Sequence, residues 1–195
     1  MTRKMYRARI VAGIIASLVA WSSWATDPTV LAQAPPAIGE TARDFTLPKL
    51  DETTITLADL MAQGPVVMIM LRGWVGYQCP ICTRQVGDFL KRAEEFEAAT
   101  ASVVLVYPGD PGVVRDKAED FVTGTTLPEN VHFVLDPGLL VVNQYGLRWN
   151  APDETAYPST FVFDKDGVVR FVKISHEHGD RSAASDVLEI VRYIN

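Results

Sequence analysis

The segment from Pro65 to Thr100 limits the fold more than any other part of the chain. Residues 65–71 are uninterrupted apolar residues, with the length of a buried strand that is covered on both faces. A short loop then leads to Cys79-Pro80-Ile81-Cys82, after which apolar residues recur at helical spacing (Val86, Phe89, Leu90, Ala93 and Phe96). We therefore expect a central strand, a loop that ends at two cysteines, and a helix of about five turns that ends near Thr100.

Short strand and helix patterns alternate along the rest of the chain. Strand patterns occupy residues 44–47, 53–56, 102–107, 131–135, 160–163 and 168–174. Helical patterns occupy residues 57–63, 113–122, 139–145 and 182–194. This order predicts a three-layer α/β sandwich with a central mixed sheet. It places the cysteine pair beyond the carboxyl end of a central strand, where sites form in open α/β sheets.

The N-terminus has the pattern of an export signal. Four basic residues within the first nine precede an apolar run that is too short to span a bilayer, which needs roughly 20 residues. Small residues make Ala25 and Ala34 alternative cleavage points, and an uncleaved anchor is the other interpretation. We expect residues 1–34 to be signal and linker, residues 35–195 to be one domain, and the product to be periplasmic or otherwise extracytoplasmic.

The charge of the chain bears on its partners. The net charge of −6 includes four basic residues and no acid within residues 1–25, so residues 26–195 carry −10. An acidic surface argues against binding to nucleic acid and to anionic lipid. We expect no nucleic-acid partner and no stable membrane insertion after cleavage.

Cys79 and Cys82 are the only cysteines of the chain, and their spacing indicates redox chemistry. Cys79 is expected at a helix N-cap, where the helix dipole favours the thiolate, and Pro80 suits the first helical position. Cys82 lies one turn inside and is positioned to resolve a mixed disulfide or a sulfenic acid on Cys79. The alternatives are half of a zinc site and a structural disulfide, although so short a loop removes little unfolded-chain entropy.

Several residues near the pair in the sequence are candidates for positioning substrate. Pro158 precedes an apolar strand, either as a simple strand start or as a cis-proline packed against the cysteines. Arg72 either stabilises a thiolate at Cys79 or is a solvated residue after the strand. Trp74 and Tyr77 either form an apolar rim for a partner or pack into the domain.

Other residues are weaker candidates. His176 and His178 could complete a metal site with the two thiols, but a solvated loop is the favoured interpretation. Arg148 and Trp149 are candidates to approach the site from the opposite side. Asp164-Lys165-Asp166-Gly167 predicts a hairpin turn. We expect neither a cofactor nor a bound metal.

Four stretches carry a family resemblance. Residues 42–47, 74–82, 136–146 and 158–167 resemble, in order, the thioredoxin-fold redoxins of the alkyl hydroperoxide reductase and thiol-specific antioxidant (peroxiredoxin-like) branch. The resemblance extends over roughly residues 38–194. It implies a thioredoxin-like domain with a redoxin-type insertion between Cys79 and Pro158, and a thiol-dependent oxidoreductase activity.

The chain departs from this family at peroxide-activating positions. Peroxiredoxins typically have a proline seven residues and a Thr or Ser three residues before the reactive cysteine, where this chain has Arg72 and Gly76. They also often have an arginine before the Thr-Phe of the late strand, where this chain has Tyr157-Pro158-Ser159. We therefore place disulfide exchange with protein or small thiols first, hydroperoxide reduction second and a metal-delivery module third. The first two activities need a reductant that the sequence does not identify.

Overall fold

The computed structural model of the chain describes residues 33–195, so the predicted signal and the Ala25 cleavage point lie outside it. Within this range the strands are β1 (Thr46–Pro48), β2 (Thr54–Thr56), β3 (Val66–Met70), β4 (Ser102–Gly109), β5 (Val131–Pro137), β6 (Ser159–Phe163) and β7 (Val169–Ile174). The helices are α1 (Leu57–Met61), α2 (Pro80–Lys91), α3 (Ala93–Ala98), α4 (Val114–Val122), α5 (Leu140–Gln144) and α6 (Ala184–Ile194). None of these helices is long and apolar enough to cross a bilayer.

The main sheet is mixed and has β3 at its centre. Its strand order is β5-β4-β3-β6-β7, and β1 pairs with β2 in a separate small sheet. Strands β3, β4 and β5 run parallel, whereas β6 is antiparallel to both β3 and β7. The predicted α/β class and mixed sheet are confirmed.

Helices cover both faces of this sheet because successive side chains of a strand point to opposite faces. Val67 and Ile69 of β3 join the core formed with α2, α3, α4 and α6. Met68 and Met70 join the core on the other face, formed with α1, α5 and β1. All five residues of β3 are buried, as the uninterrupted apolar run predicts.

Two edges of the main sheet are partly covered by other segments. Gly39 N–H donates to the Val169 carbonyl at 2.9 Å, and Val169 N–H donates to the backbone carbonyl of Glu40 at 2.9 Å. These bonds lay the start of the described chain along β7. At the opposite edge Lys49 forms a bridge with Val134 of β5.

The predicted single helix after the cysteines is two helices in the structure. Arg92 leaves helical geometry at φ −112° and ψ 12°, and it separates α2 from α3. The amides of Glu95 and Phe96 turn back to the Arg92 carbonyl, which starts a new helix. Phe89 and Phe96 stack across the break at 5.6 Å between ring centroids. The apolar spacing continues through the break, so periodicity alone could not reveal it.

The Tyr157–Pro158 peptide bond is trans, and residues 33–195 contain no cis peptide bond. The prediction of a cis-proline is therefore wrong. Tyr157 N–H donates to the Leu147 carbonyl at 2.8 Å, and the Pro158 carbonyl accepts from Ser175 N–H at 2.8 Å. These bonds hold an extended approach to β6, which begins at the next residue, Ser159. Pro158 is buried and serves as a strand start, the simpler of the two alternatives.

Candidate active site

Cys79 occupies the N-cap of α2, the position predicted for it. The loop from β3 delivers Cys79 in an extended conformation, at φ −77° and ψ 110°, and Pro80 begins the helix. Its Sγ accepts a hydrogen bond from the backbone N–H of Cys82 at 3.3 Å. The first sulfur therefore takes the place that a Ser or Asp oxygen takes at an ordinary helix start.

Both thiols are buried. Cys79 is 4% exposed and Cys82 is 1% exposed. Cys79 is the more accessible of the two, as expected, but the difference is small. Little of the surface of Cys79 is therefore open to a substrate.

The two thiols have opposite pKa shifts. The hydrogen bond from the Cys82 thiol, the backbone N–H groups of Cys82 and Ile81, and the charge of Arg181 outweigh burial and lower the pKa of Cys79 to about 5. The same thiol–thiol hydrogen bond, together with burial, raises the pKa of Cys82 well above its usual value. The pair thus holds one thiolate on Cys79 and one proton on Cys82 near neutral pH.

Arg181 is the site residue that sequence reasoning missed. It lies in the segment between β7 and α6, and its Nη2 is 3.8 Å from the Cys82 Sγ. Its Nη1 donates to Gln85 Oε1 at 3.3 Å. The only signal in the sequence was its place before the last helix, because α6 packs beside α2.

Arg72 has neither of the roles that were considered for it. It is 2% exposed, so it is not solvated. Its guanidinium is directed to Glu154, with Nε–Oε2 2.5 Å and Nη2–Oε1 2.9 Å, and to the Tyr77 hydroxyl at 2.7 Å. Only its backbone N–H acts on the dithiol, where it lowers the pKa of Cys82 slightly against the larger raising effects. The cation beside the sulfurs is Arg181.

Glu154 is charged in this arrangement. Burial opposes its ionisation, but hydrogen bonds from Arg72 and His178 hold the pKa of the carboxyl below its usual value. The ion pair also strengthens the preference of Arg72 for its charged form, and raises its pKa. The pair fixes the loop before Cys79 to the segment before β6.

Trp74 and Tyr77 have different surroundings. Trp74 is half-buried against the core, and Lys117 Nζ lies 4.8 Å from its ring centroid. Tyr77 is 49% exposed, and the Arg72 guanidinium lies 4.9 Å from its ring centroid. Trp74 therefore follows the packing alternative, whereas Tyr77 is free on one side to contact a partner.

The histidines considered as metal ligands lie elsewhere. His178 Nε2 is 2.8 Å from Glu154 Oε1, and the His176 ring meets Tyr157 edge-on at 4.8 Å. Trp149 stacks on Tyr157 at 4.9 Å. In the part of the chain that the structure describes, no three His, Cys, Asp or Glu residues are grouped as a metal site requires. His176 and His178 therefore do not form a metal site with the two thiols.

Arg148 supports the loop that carries Glu154. Its Nη1 donates to the carbonyls of Trp149, Glu154 and Thr155. The Thr155 hydroxyl in turn donates to the Arg72 carbonyl. The influence of Arg148 on the dithiol is therefore indirect, through the segment of Glu154 and Thr155 that also bonds to Arg72.

Comparison with known proteins decides the family. The sequence model of the AhpC/TSA family matches residues 38–172. The chain belongs to the AhpC/TSA family. Putative peroxiredoxin Rv2521 of Mycobacterium tuberculosis is 28% identical over 141 residues, which are 67% of this chain and 80% of the relative. The thiol-disulfide oxidoreductase ResA of Geobacillus thermodenitrificans is 30% identical over 135 residues, 69% of this chain and 67% of the relative.

Solved structures agree with this assignment. The crystal structure of peroxidoxin BcpB from Mycobacterium tuberculosis is similar at a TM-score of 0.68 and 25% identity, and the match covers 82% of this chain and 99% of that one. The mitochondrial 2-Cys peroxiredoxin of Plasmodium falciparum, at 16% identity and a TM-score of 0.62, shares the fold over 81% of this chain and 94% of its own. This AhpC/TSA protein is a thioredoxin-fold, thiol-dependent oxidoreductase. The expected family, fold class and enzyme class are confirmed.

Proposed function

We propose that this AhpC/TSA protein catalyses thiol–disulfide exchange with Cys79 and Cys82 as its dithiol–disulfide couple. The observation that carries the proposal is the hydrogen-bonded pair itself, with a thiolate favoured on Cys79 and a proton retained on Cys82. A thiolate is the attacking form of cysteine, and a nearby thiol is the resolving group. The 30% identity to ResA supports the same chemistry.

The reaction balances with a disulfide as the oxidant. The Cys79 thiolate attacks one sulfur of the substrate, forms a mixed disulfide and releases the other sulfur as a thiolate, which takes up a proton. Cys82 then loses its proton and attacks the Cys79 sulfur. The bond between Cys79 and the substrate breaks, the Cys79–Cys82 disulfide forms, and a second substrate thiol leaves. Two electrons pass from the protein to the substrate, and an external dithiol restores the reduced pair.

Hydroperoxide reduction is the second candidate, and the burial of Cys79 favours it. A small peroxide reaches a buried sulfur more readily than a protein loop does, and Rv2521 and BcpB are named as peroxiredoxin and peroxidoxin. In this reaction the Cys79 thiolate attacks a peroxide oxygen, an alcohol or water leaves, and Cys82 condenses with the sulfenic acid to release water. Against it, Arg72 is committed to Glu154 at the position where the family typically has proline.

One experiment separates the two candidates. Reduced protein is mixed with insulin, with a small aromatic disulfide and with hydrogen peroxide, and dithiothreitol is the single reductant throughout. We expect disulfide reduction to exceed peroxide consumption, and Cys79→Ser to abolish both. Faster peroxide consumption would overturn the disulfide-exchange proposal in favour of the peroxidase. Unchanged activity in Cys79→Ser would overturn both.

We propose further that the protein is exported and cleaved after Ala25. The Ala34 carbonyl accepts a hydrogen bond from Arg43 at 2.8 Å, and Pro36 is buried. These contacts support the earlier cleavage point, because cleavage after Ala34 removes the residue that Arg43 holds. N-terminal sequencing of the protein from a periplasmic fraction tests the proposal. A mature chain that starts at residue 26 supports it, whereas an unprocessed chain in the cytoplasm contradicts it.

A further inference from the structure

We infer that Arg181 promotes the second half of the exchange by stabilising the Cys82 thiolate as it attacks Cys79. This inference rests on the proposed dithiol chemistry and adds a residue to it. It starts from the contact between Arg181 Nη2 and Cys82 Sγ at 3.8 Å.

Each nitrogen of the Arg181 side chain has a different partner. Nε donates to the His178 carbonyl at 2.9 Å, and Nη1 donates to Gln85 Oε1 at 3.3 Å, which leaves Nη2 directed at the Cys82 sulfur. Gln85 is buried and lies on α2, one turn after Cys82. A planar guanidinium held at two points keeps the orientation of its third nitrogen. The contact with sulfur therefore has a defined geometry.

The segment that carries Arg181 is anchored at both ends. Ala184 N–H donates to Asp88 Oδ2 of α2 at 2.8 Å. On the other side Lys173 pairs with Asp180 at 2.6 Å, and the Ser175 hydroxyl donates to the Asp180 carbonyl. The register of Arg181 along α2 is set by these bonds and does not depend on the thiols.

The other ionisable groups that face the dithiol do not supply a positive charge. Burial and the nearby thiols raise the pKa of the Tyr107 hydroxyl on β4, which donates to Gln78, so it remains neutral. The Arg72 guanidinium is paired with Glu154. In residues 33–195, Arg181 is the one cation whose side chain contacts either sulfur.

The positive charge of Arg181 should matter more when Cys82 resolves the mixed disulfide than when Cys79 attacks the substrate. Cys79 already has several donors that favour its thiolate. Cys82 is 1% exposed, and its sulfur must lose a proton before it can attack the mixed disulfide. The proton leaves to solvent or to the departing substrate thiolate, and the negative charge forms beside Nη2. An opposite charge at this distance lowers the pKa of a thiol by about 1 to 3 units. When the pKa lies above the pH, each unit raises the population of the thiolate about tenfold.

The test follows the two steps separately in the full chain. Reduced protein reacts in stopped flow with 5,5′-dithiobis(2-nitrobenzoate), which releases one coloured thiolate when Cys79 attacks and a second when Cys82 resolves. We expect Arg181→Gln to slow the second release by about tenfold or more and the first release by less. The pH profile of the second release should move to higher pH, and Arg181→Lys should recover part of the rate.

Arg84→Gln is the matched control. Arg84 is exposed on α2, the helix that carries Cys82, and its substitution removes the same charge, so this variant should leave both releases unchanged. Urea unfolding checks the fold of each variant, and Arg181→Lys, which keeps the charge, tests the inference if Arg181→Gln fails to fold. Equal slowing of both releases, or an unchanged second release, would overturn the inference. A wild-type protein without a second release would instead overturn the proposed dithiol couple.

Discussion

The difference in pKa between the two thiols originates in the direction of the hydrogen bonds between them. The Cys82 thiol and the Cys82 N–H both donate to the Cys79 sulfur, so Cys82 stabilises the thiolate of Cys79. The proximity that lowers one pKa raises the other. The reactivity of Cys79 is therefore a property of the pair, and a substitution at Cys82 changes Cys79 as well.

Alkylation by iodoacetamide should show this dependence. We expect Cys79 to be labelled before Cys82, with a rate that rises with pH through about 5 as the thiolate forms. Cys82→Ala removes a donor, so the midpoint for Cys79 should move to higher pH, whereas Cys82→Ser keeps a hydroxyl donor and should move it less. Peptide mapping after pulses at several pH values measures both effects. Preferential labelling of Cys82 would contradict the assignment.

The separate roles of the thiols also predict which variant accumulates an intermediate. Cys82→Ser should hold a mixed disulfide on Cys79, because the resolving sulfur is absent. Cys79→Ser should hold none, since its remaining thiol is buried and retains its proton. Non-reducing gels and intact mass after incubation with a disulfide measure the adducts. Equal adducts in both variants would show that the roles are not divided.

The Arg72–Glu154 pair should matter chiefly for stability. The Glu154 carboxylate is nearly buried, and Arg72→Met removes its main partner. We therefore expect a loss of about 3 kcal/mol in the free energy of unfolding at neutral pH. The double variant Arg72→Met/Glu154→Gln should recover part of it. The folded pKa of Glu154 is lowered, so the stabilisation is present above the unfolded pKa and is lost as pH falls through the folded value. Urea unfolding across acidic and neutral pH checks this, and a loss that is the same at every pH would contradict it.

At the scale of elements, the loop between β3 and α2 depends on close contact with β4. Gly73 has φ +71°, and a Cβ there would lie 1.9 Å from the Pro108 carbonyl oxygen. Trp74 N–H donates to the same oxygen at 3.4 Å. The path of the loop to Cys79 therefore requires glycine at position 73 for space as well as for conformation.

Two glycine variants separate these causes. Gly76 also has positive φ, at +103°, but a Cβ there meets nothing within 4 Å. Gly76→Ala should cost only the left-handed backbone penalty, about 1 to 2 kcal/mol. Gly73→Ala should cost more and slow the reaction of Cys79, because the loop must move away from β4. Urea midpoints and alkylation rates measure both effects. Equal losses in the two variants would show that the contact with Pro108 is unimportant.

The elements also show how far the sequence could predict the site. The apolar run placed β3, Pro80 placed the start of α2, and Asp164-Lys165-Asp166-Gly167 placed the hairpin before β7, each within a residue or two, because each depends on a local pattern. Arg72 was misjudged because its partner, Glu154, is 82 residues away in the chain. Arg181 was missed for the same reason, since its contact depends on how the segment before α6 packs on α2. The trans bond at Pro158 is the ordinary state of a bond before proline, and the hydrogen bonds that hold this segment to Leu147 and Ser175 are ones that no local pattern encodes.

For the whole molecule, the Cys79–Cys82 disulfide should contribute little to stability. The loop that it closes is far shorter than the 15-residue loop for which chain entropy gives about 3 kcal/mol. The core that Val67 and Ile69 of β3 share with α2 already holds the two elements together without it. Urea unfolding of oxidised and reduced protein should give similar midpoints. A loss of more than about 4 kcal/mol on reduction would indicate a structural disulfide instead.

The bonds that lay residues 39–40 along β7 have a consequence beyond the site. An uncovered edge strand exposes free N–H and C=O groups, to which a strand of another molecule can add. Gly39 and Glu40 occupy these groups at the start of β7, and Lys49 meets Val134 at the far edge. Each margin of the sheet is thus closed in part by the chain's own N-terminal region. Self-association by strand addition is disfavoured there only once that region has docked.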